Sequence, residues 1–147
     1  MSTAQKRTWF EIAISLAGLM FSALSWYLFM LAGDKFYSPP WAYSIPLVNL
    51  FHVLCLTGFV LAAAKFKSKN FDERELAISH NAQVCGFIGV FVYLVFMVMV
   101  VFAKNIMAVM PIRLILLLIV SSFYFSVLVS SLSFQLLYQT KLKTSLN

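Results

Sequence analysis

Four long apolar stretches limit what this chain can fold into more than any other feature. They cover about residues 9–32, 44–64, 82–103 and 112–138, and each is close to the roughly 20 residues that an α-helix needs to cross a bilayer. Of the 147 residues, 62% are hydrophobic and 11% are charged, against about 45–50% and 25% in a typical soluble domain. The sequence therefore predicts an all-α integral membrane protein with a single transmembrane domain, built as a four-helix bundle.

The first stretch is preceded by Lys6 and Arg7, as the apolar region of a signal peptide would be. That region spans about 7–15 residues in signal peptides, and the stretch here is longer. We therefore expect an uncleaved first transmembrane helix, followed by three more.

The basic residues are concentrated on one side of the predicted membrane. Because cytoplasmic loops carry an excess of lysine and arginine, this asymmetry predicts that both termini and the middle loop lie in the cytoplasm. The predicted location of the protein is the cell (inner) membrane. These residues flank apolar stretches rather than forming an arginine-rich face, so we expect them to contact anionic lipid headgroups and not nucleic acid. The cytoplasmic set is Lys6, Arg7, Lys65, Lys67, Lys69, Arg74, Lys141 and Lys143, and the opposite set is Lys35, Lys104 and Arg113.

The middle loop joins the two predicted helical hairpins, and its charges end in the run Asp72-Glu73-Arg74-Glu75. Carboxylates in the first turn of a helix stabilise it by about 0.3–1 kcal/mol each. One interpretation is therefore that the run caps a third helix, which begins near residue 71, before the membrane. The alternative is that these four charged side chains form a contact surface for another protein.

The same run resembles a pattern in small prokaryotic membrane proteins of uncharacterised function. In that family, Asp-Glu-Arg-(Asp/Glu) precedes a transmembrane helix, with an isoleucine and then an alanine downstream, which here are Ile78 and Ala82. The family pattern has a basic residue before the alanine, whereas this chain has Asn81. The resemblance implies four spans with the central loop as the signature, and it implies no activity.

Small residues recur at helical spacing in three of the predicted spans. Such stripes let two helix backbones approach closely, so we interpret them as packing seams, with a narrow polar pathway as the alternative. The residues are Ser15, Gly18 and Ser22 in the first helix, Gly86 and Gly89 in the third, and Ser122, Ser126 and Ser130 in the fourth.

Three polar residues inside the spans are functional candidates, because polar and ionisable groups are costly in a bilayer. Glu11 lies near the start of the first span, where Arg7 at i−4 could pair with it. Asn49 and His52 share one face of the second span. A partner such as Asn49 or a seam serine could satisfy His52, in which case the histidine would be structural.

No residue pattern predicts catalysis. Cys55 and Cys85 lack the spacing of a zinc site or a redox motif, and His52 and His80 lie at different predicted depths, which argues against a haem. We therefore expect a non-enzymatic accessory or regulatory component without a cofactor or metal. It would act on a protein partner, or in a homo-oligomer, through its cytoplasmic loop or its helix seams. The alternative is a small transporter or channel subunit, proton-coupled or ion-conducting, that uses the intramembrane polar residues.

Overall fold

The computed structural model describes residues 2–32, 44–66, 71–103 and 112–144. The regular elements in these residues are four α-helices: α1 (Thr3–Ala32), α2 (Ser44–Lys65), α3 (Glu73–Ala103) and α4 (Ile112–Thr144). Each contains a segment long and apolar enough to cross a membrane. The predicted all-α fold with four spans is therefore confirmed, and the chain is a multi-pass membrane protein.

Two helices begin with reciprocal side-chain caps. At the start of α1, the backbone N–H of Gln5 donates to the Ser2 hydroxyl at 3.2 Å. The backbone N–H of Ser2 donates in turn to Gln5 Oε1 at 2.9 Å. Asp72 and Glu75 form the equivalent pair at the start of α3. Each pair satisfies backbone N–H groups that have no partner within the helix. This explains why α1 begins well before the predicted start of its span at residue 9.

The helices do not contribute equally to the bundle. α1 packs against both α2 and α4, and α3 packs mainly against α4. In the described part of the chain, α2 and α3 share no comparable interface. α1 and α4 therefore form the centre of the bundle, although they are furthest apart in sequence.

Polar and small side chains form much of the interior, and large apolar side chains cover the outside. Ser15, Ser22 and Ser131 are buried, whereas Met20, Phe91 and many similar residues are exposed. A lipid-facing surface accounts for this pattern, since lipid tails give no hydrophobic drive for burying apolar groups between helices. Lys67 and Lys69, which we expect at lipid headgroups, lie outside the described residues.

Candidate functional site

Glu11 is the centre of a hydrogen-bonded cluster between α1 and α4. Its Oε1 atom accepts a bond from Arg7 Nε at 2.7 Å, and its Oε2 atom accepts one from the Ser131 hydroxyl at 3.0 Å. Arg7 lies one helical turn earlier in α1, and Ser131 reaches across from α4. Both carboxylate oxygens therefore have a donor, and the negative charge is paired, as a poorly solvated acid requires.

A second set of bonds joins the same two helices one turn nearer the start of α1. Gln135 of α4 donates from Nε2 to the Thr8 hydroxyl and, at 3.3 Å, to the backbone oxygen of Gln5. Thr8 and Gln135 are both buried. The α1–α4 interface is thus held by polar side chains over two successive turns.

This cluster forms one wall of a cavity of about 340 Å³ between α1, α3 and α4. A cavity of this size can hold a small molecule or the headgroup of a lipid. Its lining is amphipathic. The polar part consists of Arg7, Thr8, Glu11, Ser79, Gln83, Ser126, Ser130 and Ser131, and the apolar part of Phe71, Ala82, Phe87, Val127 and Phe134.

The charges of the cavity come from Arg7 and Glu11, and they cancel. The guanidinium carbon of Arg7 also lies 5.9 Å from the centroid of the Phe71 ring, within the range of a cation–π contact. Among the residues with described positions, no three His, Cys, Asp or Glu side chains come close enough to hold a metal ion. The cavity can therefore recognise a ligand through hydrogen bonds and through two neighbouring charges of opposite sign.

The four charged residues at the start of α3 form two pairs with different surroundings. The Glu75 amide donates to Asp72 Oδ1 at 2.6 Å, and the Asp72 amide donates to Glu75 Oε2 at 3.4 Å. Glu75 is only 5% exposed, whereas Asp72, Glu73 and Arg74 are exposed. Asp72 and Glu75 therefore cap the helix, and Glu73 and Arg74 are left as accessible charges.

His52 lies in a separate, aromatic environment. Its Nδ1 atom is 3.2 Å from the Tyr124 hydroxyl, which also donates to the His52 backbone oxygen at 3.3 Å. The ring contacts Phe21 edge-on and lies nearly parallel to Tyr124. His52 is 8% exposed, and its Nε2 atom has no partner among the described residues. The partner of this histidine is thus a tyrosine of α4 and not Asn49 or a serine.

The polar residues expected inside the spans do not converge. Asn49 is exposed on the outside of α2. His52 lies at the level of Phe21, and Phe21 is about 15 Å further along α1 than Glu11 at the usual helical rise. In the part of the chain that the structure describes, Glu11 and His52 therefore belong to different clusters.

The small residues of the predicted seams lie where the helices approach most closely. A Cβ atom on Gly18 would be 2.7 Å from the Tyr124 ring, and one on Gly86 would be 2.9 Å from both Ser126 O and Ser130 Cβ. The Ser126 hydroxyl also donates to the Gly86 backbone oxygen at 3.3 Å. The other seam residues are placed similarly: Ser15, Ser22 and Ser122 are buried, and Gly89 faces Val129.

Four residues of these clusters were not singled out from the sequence: Thr8, Tyr124, Ser131 and Gln135. The sequence pattern that could have identified them is a spacing of alternately three and four residues, which places side chains on one helical face. In α1 this spacing connects Ala4, Thr8, Glu11, Ser15, Gly18 and Ser22, and in α4 it connects Ser121, Tyr124, Leu128, Ser131 and Gln135.

No family model, curated protein or solved structure was found to match this chain.

Proposed function

We propose that the protein is a non-enzymatic accessory or regulatory component of a membrane, and that it docks another protein at the amino-terminal end of α3. The observation that carries this proposal is the exposure of Glu73 and Arg74 beside a closed capping pair. Adjacent exposed charges of opposite sign select a partner with the complementary arrangement. The capping pair keeps them on a fixed helix end.

Packing supports the rigidity of this surface. Ile78 and Ala82 of α3 belong to a buried cluster with Ala4 of α1 and Phe134 of α4, and Phe71 packs against it. The helix end that carries Glu73 and Arg74 is therefore held by two other helices. A surface on a rigid element loses little conformational entropy on binding, which favours recognition.

The proposed location is the inner membrane of a prokaryotic cell, with this surface and both termini in the cytoplasm. The excess of lysine and arginine on that side supports the orientation. Lys6 and Lys65 are exposed near the corresponding helix ends, where they can contact anionic headgroups.

Charge reversal tests the docking surface. Glu73→Lys combined with Arg74→Glu keeps the net charge and leaves the capping pair in place, so it should abolish capture of the partner without unfolding the protein. The measurement is quantitative mass spectrometry of proteins that co-purify in mild detergent. Gln139→Glu provides the control, because Gln139 is exposed near the carboxyl end of α4. Unchanged recovery of every co-purifying protein in the reversed variant would contradict the proposal.

A small transporter or channel subunit is the second proposal, and the cavity beside Glu11 favours it. In that case proteoliposomes should show a proton or cation flux that Glu11→Gln abolishes. The exposed substitution Asn49→Leu should leave the flux unchanged. A wild-type protein that gives no flux above empty liposomes would exclude this function.

A further inference from the structure

Arg7 has unused hydrogen-bonding capacity at the mouth of the cavity. It donates to Glu11 through Nε, and its two terminal amino groups have no acceptor among the described residues of the chain. The side chain is 28% exposed. Arginine amino groups in this geometry form paired, charge-assisted bonds with phosphate. Arg7 can therefore hold a phosphate without giving up its bond to Glu11.

Glu11 offers the complementary charge a few ångströms away. Its two oxygens hold one donor each, and a carboxylate can accept about four. Ser79, Gln83 and Ser130 add polar groups on the facing wall, and none of the three has a hydrogen-bond partner in the described residues. A primary ammonium group fits this environment, since it has several N–H donors and a positive charge.

The rest of the cavity is suited to an acyl chain. Phe87 and Val127 form part of the apolar lining, and Phe87 is 77% exposed on the outer surface of α3. The exposed Trp9 directly follows Thr8 of the cavity lining in α1, and tryptophan is enriched at the membrane–water interface. The cavity is therefore placed at the depth of lipid headgroups and continues into a lipid-facing apolar wall.

We infer that this cavity is a binding site for a phospholipid whose headgroup carries both a phosphate and a primary ammonium, as in phosphatidylethanolamine. The phosphate binds the terminal amino groups of Arg7, the ammonium binds Glu11 and the facing polar groups, and an acyl chain follows Phe87. Because Arg7 and Glu11 cancel, the site favours a zwitterion. An anionic headgroup has no ammonium to donate to the remaining acceptor sites of Glu11, and its charge is repelled by that carboxylate. A trimethylated headgroup has no N–H to donate.

Native mass spectrometry of the purified full chain in mild detergent tests this site. The probes are short-chain phosphatidylethanolamine, phosphatidylcholine and phosphatidylglycerol, together with free phosphoethanolamine. We expect the first lipid to bind most tightly, and Arg7→Gln to weaken its binding by about tenfold or more, through loss of charged hydrogen bonds. Glu11→Gln should remove the preference over phosphatidylglycerol. Lys6→Gln, at an exposed cation that is not part of the cavity lining, should change nothing.

A second variant separates loss of binding from loss of folding. Ser79→Leu fills the cavity from the α3 wall and leaves both charged residues intact, so it should weaken binding while the helical circular dichroism stays at the wild-type level. Equal binding of the three lipids, unaffected by Arg7→Gln and Ser79→Leu, would overturn the inference and indicate non-specific lipid association. If phosphoethanolamine binds as tightly as the lipid, the headgroup assignment stands and the acyl-chain contact is overturned.

Discussion

Replacing Gly18 by alanine tests the closest contact between helices. The new Cβ atom would lie 2.7 Å from Cδ2, Cε2 and Cζ of Tyr124. Tyr124 is 0% exposed, its hydroxyl is bonded to His52, and its ring also contacts Phe59. The ring therefore cannot move without displacing α2. Overpacking of this kind costs about 1–3 kcal/mol.

Gly58 provides a matched control in the neighbouring helix. A Cβ atom there would lie 2.9 Å from Ile14 Cδ1, which is the end of a flexible side chain and can rotate away. Both substitutions replace a glycine within a helix, so their intrinsic effect on helix stability is the same. We expect the free energy of unfolding of Gly18→Ala to be about 1–3 kcal/mol lower than that of Gly58→Ala.

The assay is reversible unfolding in mixed detergent micelles, followed by circular dichroism. The same pair should be measured in a Tyr124→Ala background, where the ring is absent. If the ring causes the cost, the difference between the two alanine variants should disappear in that background. Equal unfolding free energies of the two variants in the parent protein would refute the reasoning, because they would show that the Tyr124 ring yields as easily as an isoleucine methyl group.

Three further substitutions, one of them with a control, give separate tests. Tyr124→Phe should lower the free energy of unfolding by about 1–3 kcal/mol, because both ring nitrogens of the buried His52 then have no partner among the described residues. An unchanged free energy of unfolding would mean that the hydroxyl is dispensable. Asp72→Ala should lower the free energy of unfolding by about 0.5–2 kcal/mol through loss of the helix cap. Glu73→Ala, outside the capping pair, removes only a first-turn carboxylate and should cost less, about 0.3–1 kcal/mol. Gly86→Ala should lower the free energy of unfolding by about 1–3 kcal/mol, since its methyl group would lie 2.9 Å from a backbone oxygen of α4 that cannot rotate away. A stability equal to that of the wild type would show that α3 and α4 can separate freely.

The fold could be predicted because the length of an apolar stretch is a property of the sequence alone. A bilayer fixes the length of a spanning helix, so four stretches give four helices whatever their mutual contacts. Which helices pack against each other does not follow from the length of the apolar stretches. α4 presents one face to α1, through Ser131 and Gln135, and another to α3, through Ser126. The serine-rich sequence indicated one face and gave no sign of which helix it meets.

The candidate site was predictable only in part, for a physical reason. Glu11 and its pairing with Arg7 follow from a spacing of four residues within one helix. Ser131 is separated from Glu11 by 120 residues and Tyr124 from His52 by 72, and helical periodicity says nothing about such contacts. A tyrosine in an apolar span is as well suited to the membrane surface as to the interior, so only the tertiary structure identifies its role.

The two partners of Glu11 also differ in when they become available during synthesis. Arg7 lies one turn away in the same helix and can pair with the carboxylate as soon as α1 forms. Ser131 belongs to the last of the four helices to leave the ribosome. We therefore expect Arg7 to be the residue that allows α1 to enter the bilayer alone, by shielding an acid that would otherwise oppose insertion. The bond to Ser131 then forms when α4 arrives, so that a polar group in α1 helps to select the position of α4.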